Sequence, residues 1–334
     1  MIGIIYRTHK PGSSSDDKKY DFKLADGMAV KDVGILERIR KLAIPPAYTD
    51  VQINLASDAK IIYQGVDAKG RLQQKYSVVH TSRAKKEKFC RLISFGKAEP
   101  QLRADIKKYI QSNRVTQNKI IALILQIIWI CGFRLGNIKY KLLYESFGVS
   151  NLLKRHLDFV DGVINVEFKG KKSVINKCSI KDRELVKEIK ELVAMKKDGD
   201  EVFTYRKDGE MVSIKPTEIN NFLKVYGEGT TSKDLRTFSA NVLFIDYMTA
   251  HIDELMSLGS IAKRKKLAKL ALVEVSSLIN NTPGIAKSSY LLTEIHDLAV
   301  EDPRVFKKHF GGTTPSRNKF INYLQKVYCQ MDKK

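Results

Sequence analysis

HLDFVDGVINVEFKGKKSVINKCSI, residues 156–180, is the one stretch of the basic C-terminal part that does not read as helix, and its reading decides the fold. Asp161-Gly162 is a hairpin-turn dipeptide. After it, Ile164, Val166 and Phe168 alternate with Asn165, Glu167 and Lys169, which places the apolar set on one face of a strand. A second tight turn at Gly170 leads into a third strand. The stretch therefore predicts a small three-stranded sheet in otherwise helical surroundings, with Lys171 held out at a turn where its side chain can reach a ligand.

Upstream, IIALILQIIWICGF (120–133) is the most apolar segment, but it is interrupted by Gln126 and falls short of the ~20 residues a membrane span needs. It predicts a buried core helix. Residues 1–82 read differently. IPPAYTDVQINL offers an extended Pro-Pro entry followed by alternating Val51, Ile53 and Leu55, and IIYQGVDAKGRLQQKY gives two strands around a DAKG turn. PGSSSDDKK (11–19) predicts a mobile loop. From TSRAKKEKFCRL onward the pattern turns helical, so the boundary falls between Val79 and Lys85. The fold class is α+β: a small β-rich N-terminal domain, 1–82, and a mostly α-helical domain, 83–334, carrying the three-stranded sheet.

Downstream, SKDLRTFSANVLFIDYM predicts a helix with Ser232 as N-cap, an apolar stripe of Leu235, Phe238, Val242 and Ile245, and Arg236 in the first turn, where free amides and the helix dipole welcome an anion. GSIAKRKKLAKLALVEVSSLI predicts another, with Ala268, Leu272, Val275 and Ile279 on its buried face and Lys263, Arg264, Lys265, Lys266 and Lys269 crowded at its start. NNTPG stops it. Beyond Tyr290, the apolar Leu291, Leu292, Ile295, Phe306, Phe310, Tyr323 and Leu324 point to packing. No internal repeat is visible.

The chain has 334 residues and a net charge of +22, from 59 Lys and Arg against 37 Asp and Glu, spread along its length. Such a field recruits polyanions and releases their counterions. The six histidines form no HxxH or HExxH pattern, so no metal is expected, and no GxxxxGK[ST] loop argues for a nucleotide. Cys90, Cys131, Cys178 and Cys329 lie too far apart for any CxxC, and a reduced, intracellular protein is the expectation. MIGIIYRTHK lacks the apolar core of a secretory signal.

Metal-free phosphoryl transfer needs cations around the phosphate, an in-line nucleophile and a proton donor for the leaving oxygen. Arg134 in GFRLGNIKY, Lys171 in FKGKKSV, Arg236 in KDLRT and Tyr290 in KSSY offer such a set. An arginine fork can hold two phosphate oxygens, a lysine can protonate a departing hydroxyl, and a cationic pocket can favour phenolate. Each also has an ordinary reading: one of 14 tyrosines that pack, a helix-end cation at Arg134, a polar hairpin turn at Lys171, a helix-ending turn residue at Asn281. On spacing and composition alone, an enzyme and a non-catalytic basic DNA-binding protein both stay open, and DNA binding has the firmer support.

In order, QGVDAKGRLQQKY, GFRLGNIKY with FGVSNLL, FKGKKSV, KDLRT and NTPGIAKSSY resemble the small type IB DNA topoisomerases of poxviruses, giant DNA viruses and some bacteria. The resemblance runs from about Ile61 to Tyr290. It implies an enzyme that nicks one strand of duplex DNA, lets it swivel and reseals it, as a monomer clamped around the duplex, with no cofactor, nucleotide, metal or membrane. By the same resemblance Tyr290 attacks the scissile phosphate, Arg134 and Arg236 hold its non-bridging oxygens, Lys171 is the general acid, and Lys233 supports the same phosphate or its neighbour. Gln73 and Tyr76 match positions that enter the major groove, and Tyr140 one that contacts the backbone. Gln74 departs, because relatives often carry tyrosine there. Asn281 departs too: poxvirus members have histidine, whereas bacterial relatives often read LGNTP, so a neutral donor to the phosphate is expected there. Asn280 stands where those relatives have glycine. A tyrosine recombinase shares this chemistry, but its second arginine usually sits in HxxR, where this chain has KDLR. The expected location is intracellular: virion or virus factory if viral, cytoplasm or nucleoid if bacterial.

Overall fold

The computed structural model describes residues 3–9 and 20–329; the PGSSSDDKK loop lies outside them. The chain divides into two compact units, Met1–Glu87 and Lys88–Lys334.

The N-terminal unit runs β1 (Ile4–His9), β2 (Tyr20–Leu24), α1 (Val33–Lys41), β3 (Thr49–Asn54), β4 (Ile61–Val66) and β5 (Leu72–Tyr76). The strands form one sheet in the order β2-β1-β3-β4-β5, antiparallel throughout. Ile5, Val51, Ile53 and Tyr63 from one face pack with Ile39 of α1 into a small core. The DAKG turn closes on Asp67, whose carboxylate accepts the Lys69 and Arg71 amides at 2.9 and 3.0 Å. Two details depart from expectation. Leu55 lies beyond the end of β3 and is exposed. Helix α1 was not foreseen; it starts at Asp32, whose side chain accepts the Ile35 amide at 2.8 Å.

The larger unit is helical apart from two small sheets. Helix α2 (Val78–Ile110) leads in, and both the 82/83 boundary and the Glu87–Lys88 limit fall in its N-terminal turns. Then come α3 (Gln117–Cys131), α4 (Ile138–Tyr144), the strands β6 (Leu157–Val160), β7 (Val163–Lys169) and β8 (Ile175–Ile180), and α5 (Arg183–Val193). A hairpin of β9 (Thr204–Lys207) and β10 (Glu210–Ser213) precedes α6 (Pro216–Lys224), α7 (Ser232–Ala250), α8 (Ile252–Ser257) and α9 (Ile261–Leu278). The short α10 (Pro283–Ile285) runs into a π-helical turn, Ala286–Tyr290, before α11 (Thr293–Glu301), α12 (Pro303–Phe310) and α13 (Ser316–Leu324).

The three-stranded sheet forms in the order β6-β7-β8 with Ile164, Val166 and Phe168 buried. Asp161 and Gly162 both take positive φ, +50° and +74°, the left-handed pair that matches hairpin twist. The β9–β10 hairpin, unforeseen, uses the same device at Asp208-Gly209. Helix α3 is buried along nearly its whole length, and Leu291, Leu292, Ile295, Phe306, Phe310, Tyr323 and Leu324 all join the same core.

Two expectations are corrected. The N-cap of α7 is Thr231, whose amide and hydroxyl both bond the Asp234 carboxylate at 3.0 and 2.8 Å, so Ser232 is the first helical residue and Arg236 lies past the first turn. The cysteines are not all reduced: Cys131 at the end of α3 and Cys178 on β8 are joined, their Cα atoms 5.6 Å apart. A separation of 47 residues hides this pairing from any reading of local spacing, and only the packing of β8 beside the end of α3 creates it.

Candidate active site

Helices α3 and α9 end against each other. Gly132 caps α3 in the left-handed region at φ +59°, and a Cβ there would stand 1.8 Å from the Leu278 carbonyl oxygen at the end of α9, so only glycine fits. Two residues after α9, Asn280 also turns left-handed, at φ +48°, and its amide donates to the Cys131 carbonyl at 2.7 Å. Asparagine tolerates this conformation and, unlike glycine, also satisfies a carbonyl left over at a helix end.

Arg236 of α7 bridges this junction. Its Nε donates to the Gly132 carbonyl at 2.7 Å, one terminal nitrogen to the Ile279 carbonyl at 2.6 Å, and the other to the Tyr290 hydroxyl at 2.6 Å. Guanidinium has five N–H donors, so two remain for a ligand. Arg236 is 4% exposed. Burial, reinforced by the like charge of Arg134, pushes it down to about 10, which leaves it charged at neutral pH.

Tyr290 ends the π-helical turn and is itself buried. Burial pushes its phenol up, but the guanidinium groups of Arg236 and Arg134 together outweigh that and hold it below the usual tyrosine value. Arg134, three residues past α3, donates to the Asn281 side-chain oxygen at 2.7 Å, while the Asn281 amide donates to the Ile279 carbonyl at 3.1 Å. Arginine can only donate and a carbonyl can only accept, so both neighbours agree on which end of the amide is which. One N–H of Asn281 is left over.

Asn241 escaped the sequence reading. Fully buried on α7, its amide donates to the Tyr290 carbonyl at 2.9 Å, and its oxygen accepts the Leu292 amide at 2.8 Å. It thus clamps the backbone on both sides of Tyr290. The available signal was an amide inside the apolar stripe of α7, five residues after Arg236.

Among the described residues, no hydrogen bond joins the remaining residues to this cluster. Lys171 is exposed on the turn between β7 and β8, and Lys233 is exposed in the first turn of α7; among the described residues neither side chain is hydrogen-bonded or ion-paired. Tyr140 is exposed on α4, its ring 5.7 Å from that of Tyr144. In the N-terminal unit Gln73 donates to Asp67 at 3.0 Å, and strand alternation sets it on the opposite face of β5 from Gln74 and Tyr76. No cluster of three or more metal-ligating side chains occurs among the described residues, and no described helix is long and apolar enough to cross a membrane.

Residues 77–301 match the family model of the eukaryotic DNA topoisomerase I catalytic core, and residues 19–67 match that of the bacterial DNA topoisomerase IB N-terminal domain. The chain is 31% identical over 299 residues to DNA topoisomerase 1B of Acanthamoeba polyphaga mimivirus, covering 87% of this chain and 86% of that protein. It belongs to the type IB DNA topoisomerases. DNA topoisomerase 1B of Vaccinia virus (strain Copenhagen) is 26% identical over 79% of this chain and 82% of its own length, and DNA topoisomerase 1 of Rabbit fibroma virus (strain Kasza) 22% over 88% and 90%. The enzyme is thus an isomerase. It relaxes supercoiled duplex DNA by cutting one strand through a DNA-(3'-phosphotyrosyl) intermediate, allowing rotation and resealing the strand.

Proposed function

We propose that Tyr290 is the nucleophile of this reaction and that Arg236, Arg134 and Asn281 form the seat of the scissile phosphate. The observation that carries this reading is the 2.6 Å bond from Arg236 to the Tyr290 hydroxyl, which ties a buried phenol held below its ordinary value by two guanidinium groups to a buried cation that keeps spare donors. On cleavage the Tyr290 phenol, its ionisation favoured by the two guanidinium groups, loses its proton to solvent and its oxygen bonds to phosphorus; the bond from phosphorus to the 5'-oxygen breaks, and Lys171, brought up on its hairpin turn, gives that oxygen its proton. Religation reverses each step, and the phosphotyrosine conserves the bond energy. Lys233 supports the same phosphate. Asn281 donates its spare N–H to a non-bridging oxygen, and since one such donor is typically worth ~10²-fold, Asn281→Ala should slow cleavage by about that factor without abolishing it.

We further propose that residues 1–82 and 83–334 act as the two halves of a monomeric clamp, the first carrying Gln73, Gln74 and Tyr76 to the major groove and the second carrying Tyr140 to the backbone. The kinship with mimivirus and poxvirus enzymes favours a virion or virus factory as the setting. Supercoiled plasmid incubated with EDTA and without ATP should be relaxed by the wild type. Radiolabelled DNA should be trapped covalently by the wild type and not by Tyr290→Phe; equal labelling of both refutes the assignment, and strict dependence on paired sites would make the protein a recombinase.

A further inference from the structure

The face of the N-terminal sheet turned away from α1 carries a row of side chains that crosses all five strands. Register pairs Lys23 with Tyr6, Tyr6 with Gln52, Gln52 with Gln64, and Gln64 with Gln74. The neighbouring positions Ile5, Ile53 and Tyr63 point the other way, into the core with Ile39, so the row belongs to the open face. Three of its members are linked amide to amide. Gln74 donates to the Gln64 oxygen at 3.0 Å, Gln64 donates to the Gln52 oxygen at 3.0 Å, and the Tyr76 hydroxyl donates to the Gln74 oxygen at 2.8 Å. Gln74 and Tyr76 are exposed, whereas Gln52 and Gln64 are half-buried.

A glutamine amide has two N–H donors and two acceptor lone pairs. The ladder consumes at most one donor and one lone pair of each, so every rung keeps one of both kinds. That pairing complements the major-groove edge of adenine, which shows an acceptor at N7 and a donor at N6, and glutamine takes it bidentately. Adjacent strands are ~4.8 Å apart and successive base pairs ~3.4 Å, so a row inclined at about 45° to the duplex axis would meet consecutive pairs. Each amide is also held in one orientation by its neighbour, which reduces the ordering cost of binding. The positive field of the chain attracts any DNA regardless of sequence; this uncharged row is suited to discriminate.

We propose that Gln52 and Gln64, together with Gln74, are specificity-determining residues that read a short adenine-containing run in the major groove. This rests on the proposed placement of the N-terminal domain on the duplex. Strand-compatible Gln52→Val and Gln64→Val, and the near-isosteric Gln64→Glu, test it in the full-length enzyme. A pool of duplexes with a randomised segment is offered to each protein, and the DNA trapped covalently is sequenced. The wild type should enrich adenine at two or three adjacent positions. Each valine variant should lose that preference at one position, by roughly tenfold or more, while still relaxing plasmid at low salt. Gln64→Glu should move the preference at its position from adenine toward cytosine, because a carboxylate accepts from cytosine N4. Identical sequence profiles for the wild type and all three variants would overturn the proposal, leaving the ladder as a brace within the sheet. Unchanged profiles accompanied by altered self-association in sedimentation would also overturn it, marking a protein contact instead. The underlying readings fail separately: absence of covalent DNA with the wild type refutes the assignment of Tyr290, and wild-type binding insensitive to methylation of major-groove base edges refutes the groove placement.

Discussion

At the scale of single residues, the site is a phenol whose charge state is set by two opposing effects. Burial of Tyr290 opposes ionisation, the guanidinium groups of Arg236 and Arg134 favour it, and the cations win. With Tyr290 as the proposed nucleophile the attacking form is the phenolate, so cleavage at subsaturating DNA should rise with pH to a plateau, with its midpoint below the usual tyrosine value. Arg236→Lys, which cannot keep the three-way set of bonds to Gly132, Ile279 and Tyr290, should move that plateau upward; an unshifted profile would show that the guanidinium does not tune the phenol. Asn241 acts through backbone rather than through substrate. Asn241→Ala leaves the Tyr290 carbonyl and the Leu292 amide buried without partners, each costing about 1–3 kcal/mol. We expect a lower melting temperature and slower single-turnover cleavage with unchanged DNA affinity. Tyr290, Arg134, Arg236 and Asn281 could be named from the sequence because each sits in a motif with its own flanking residues. Asn241 could not, since a polar residue within an apolar helical stripe carries no mark of the chain segment it will meet.

At the scale of elements, the site depends on two helix ends brought into contact. Gly132→Ala would place a methyl group 1.8 Å from the Leu278 oxygen and force a positive φ on a residue that resists it. The ends of α3 and α9 must then separate, and with them the two carbonyls that Arg236 bridges. The expected outcome is a loss of about 3 kcal/mol or more in denaturant unfolding and loss of covalent trapping; a variant of normal stability and activity would show that the close approach is not required. The core helix and the three-stranded sheet were legible because their periodicities are unambiguous over many residues. Helix α1 and the β9–β10 hairpin were not. The first is short and sits among strands, and the second has only four residues on each side of Asp208-Gly209.

At the scale of the whole molecule, the Cys131–Cys178 bond joins the segment that leads to Arg134 with the hairpin that carries Lys171. Closing a loop across 47 residues removes chain entropy from the unfolded state worth about 4 kcal/mol in the simplest treatment. Dithiothreitol, or the Cys178→Ser substitution, should therefore lower the melting temperature by about 10 °C. Equal melting of the oxidised and reduced protein would exclude a stabilising role. Composition, periodicity and ordered motifs determined a basic two-part α+β chain with a core helix, a small sheet and a tyrosine in the company of arginines, because these properties are local or are carried by contiguous residues. The disulfide, the abutting ends of α3 and α9, the clamp of Asn241 on the tyrosine backbone and the amide row across the N-terminal sheet were decided only by tertiary structure. Each pairs groups distant along the chain, and close packing and hydrogen-bond direction, rather than any local propensity, select which of them meet.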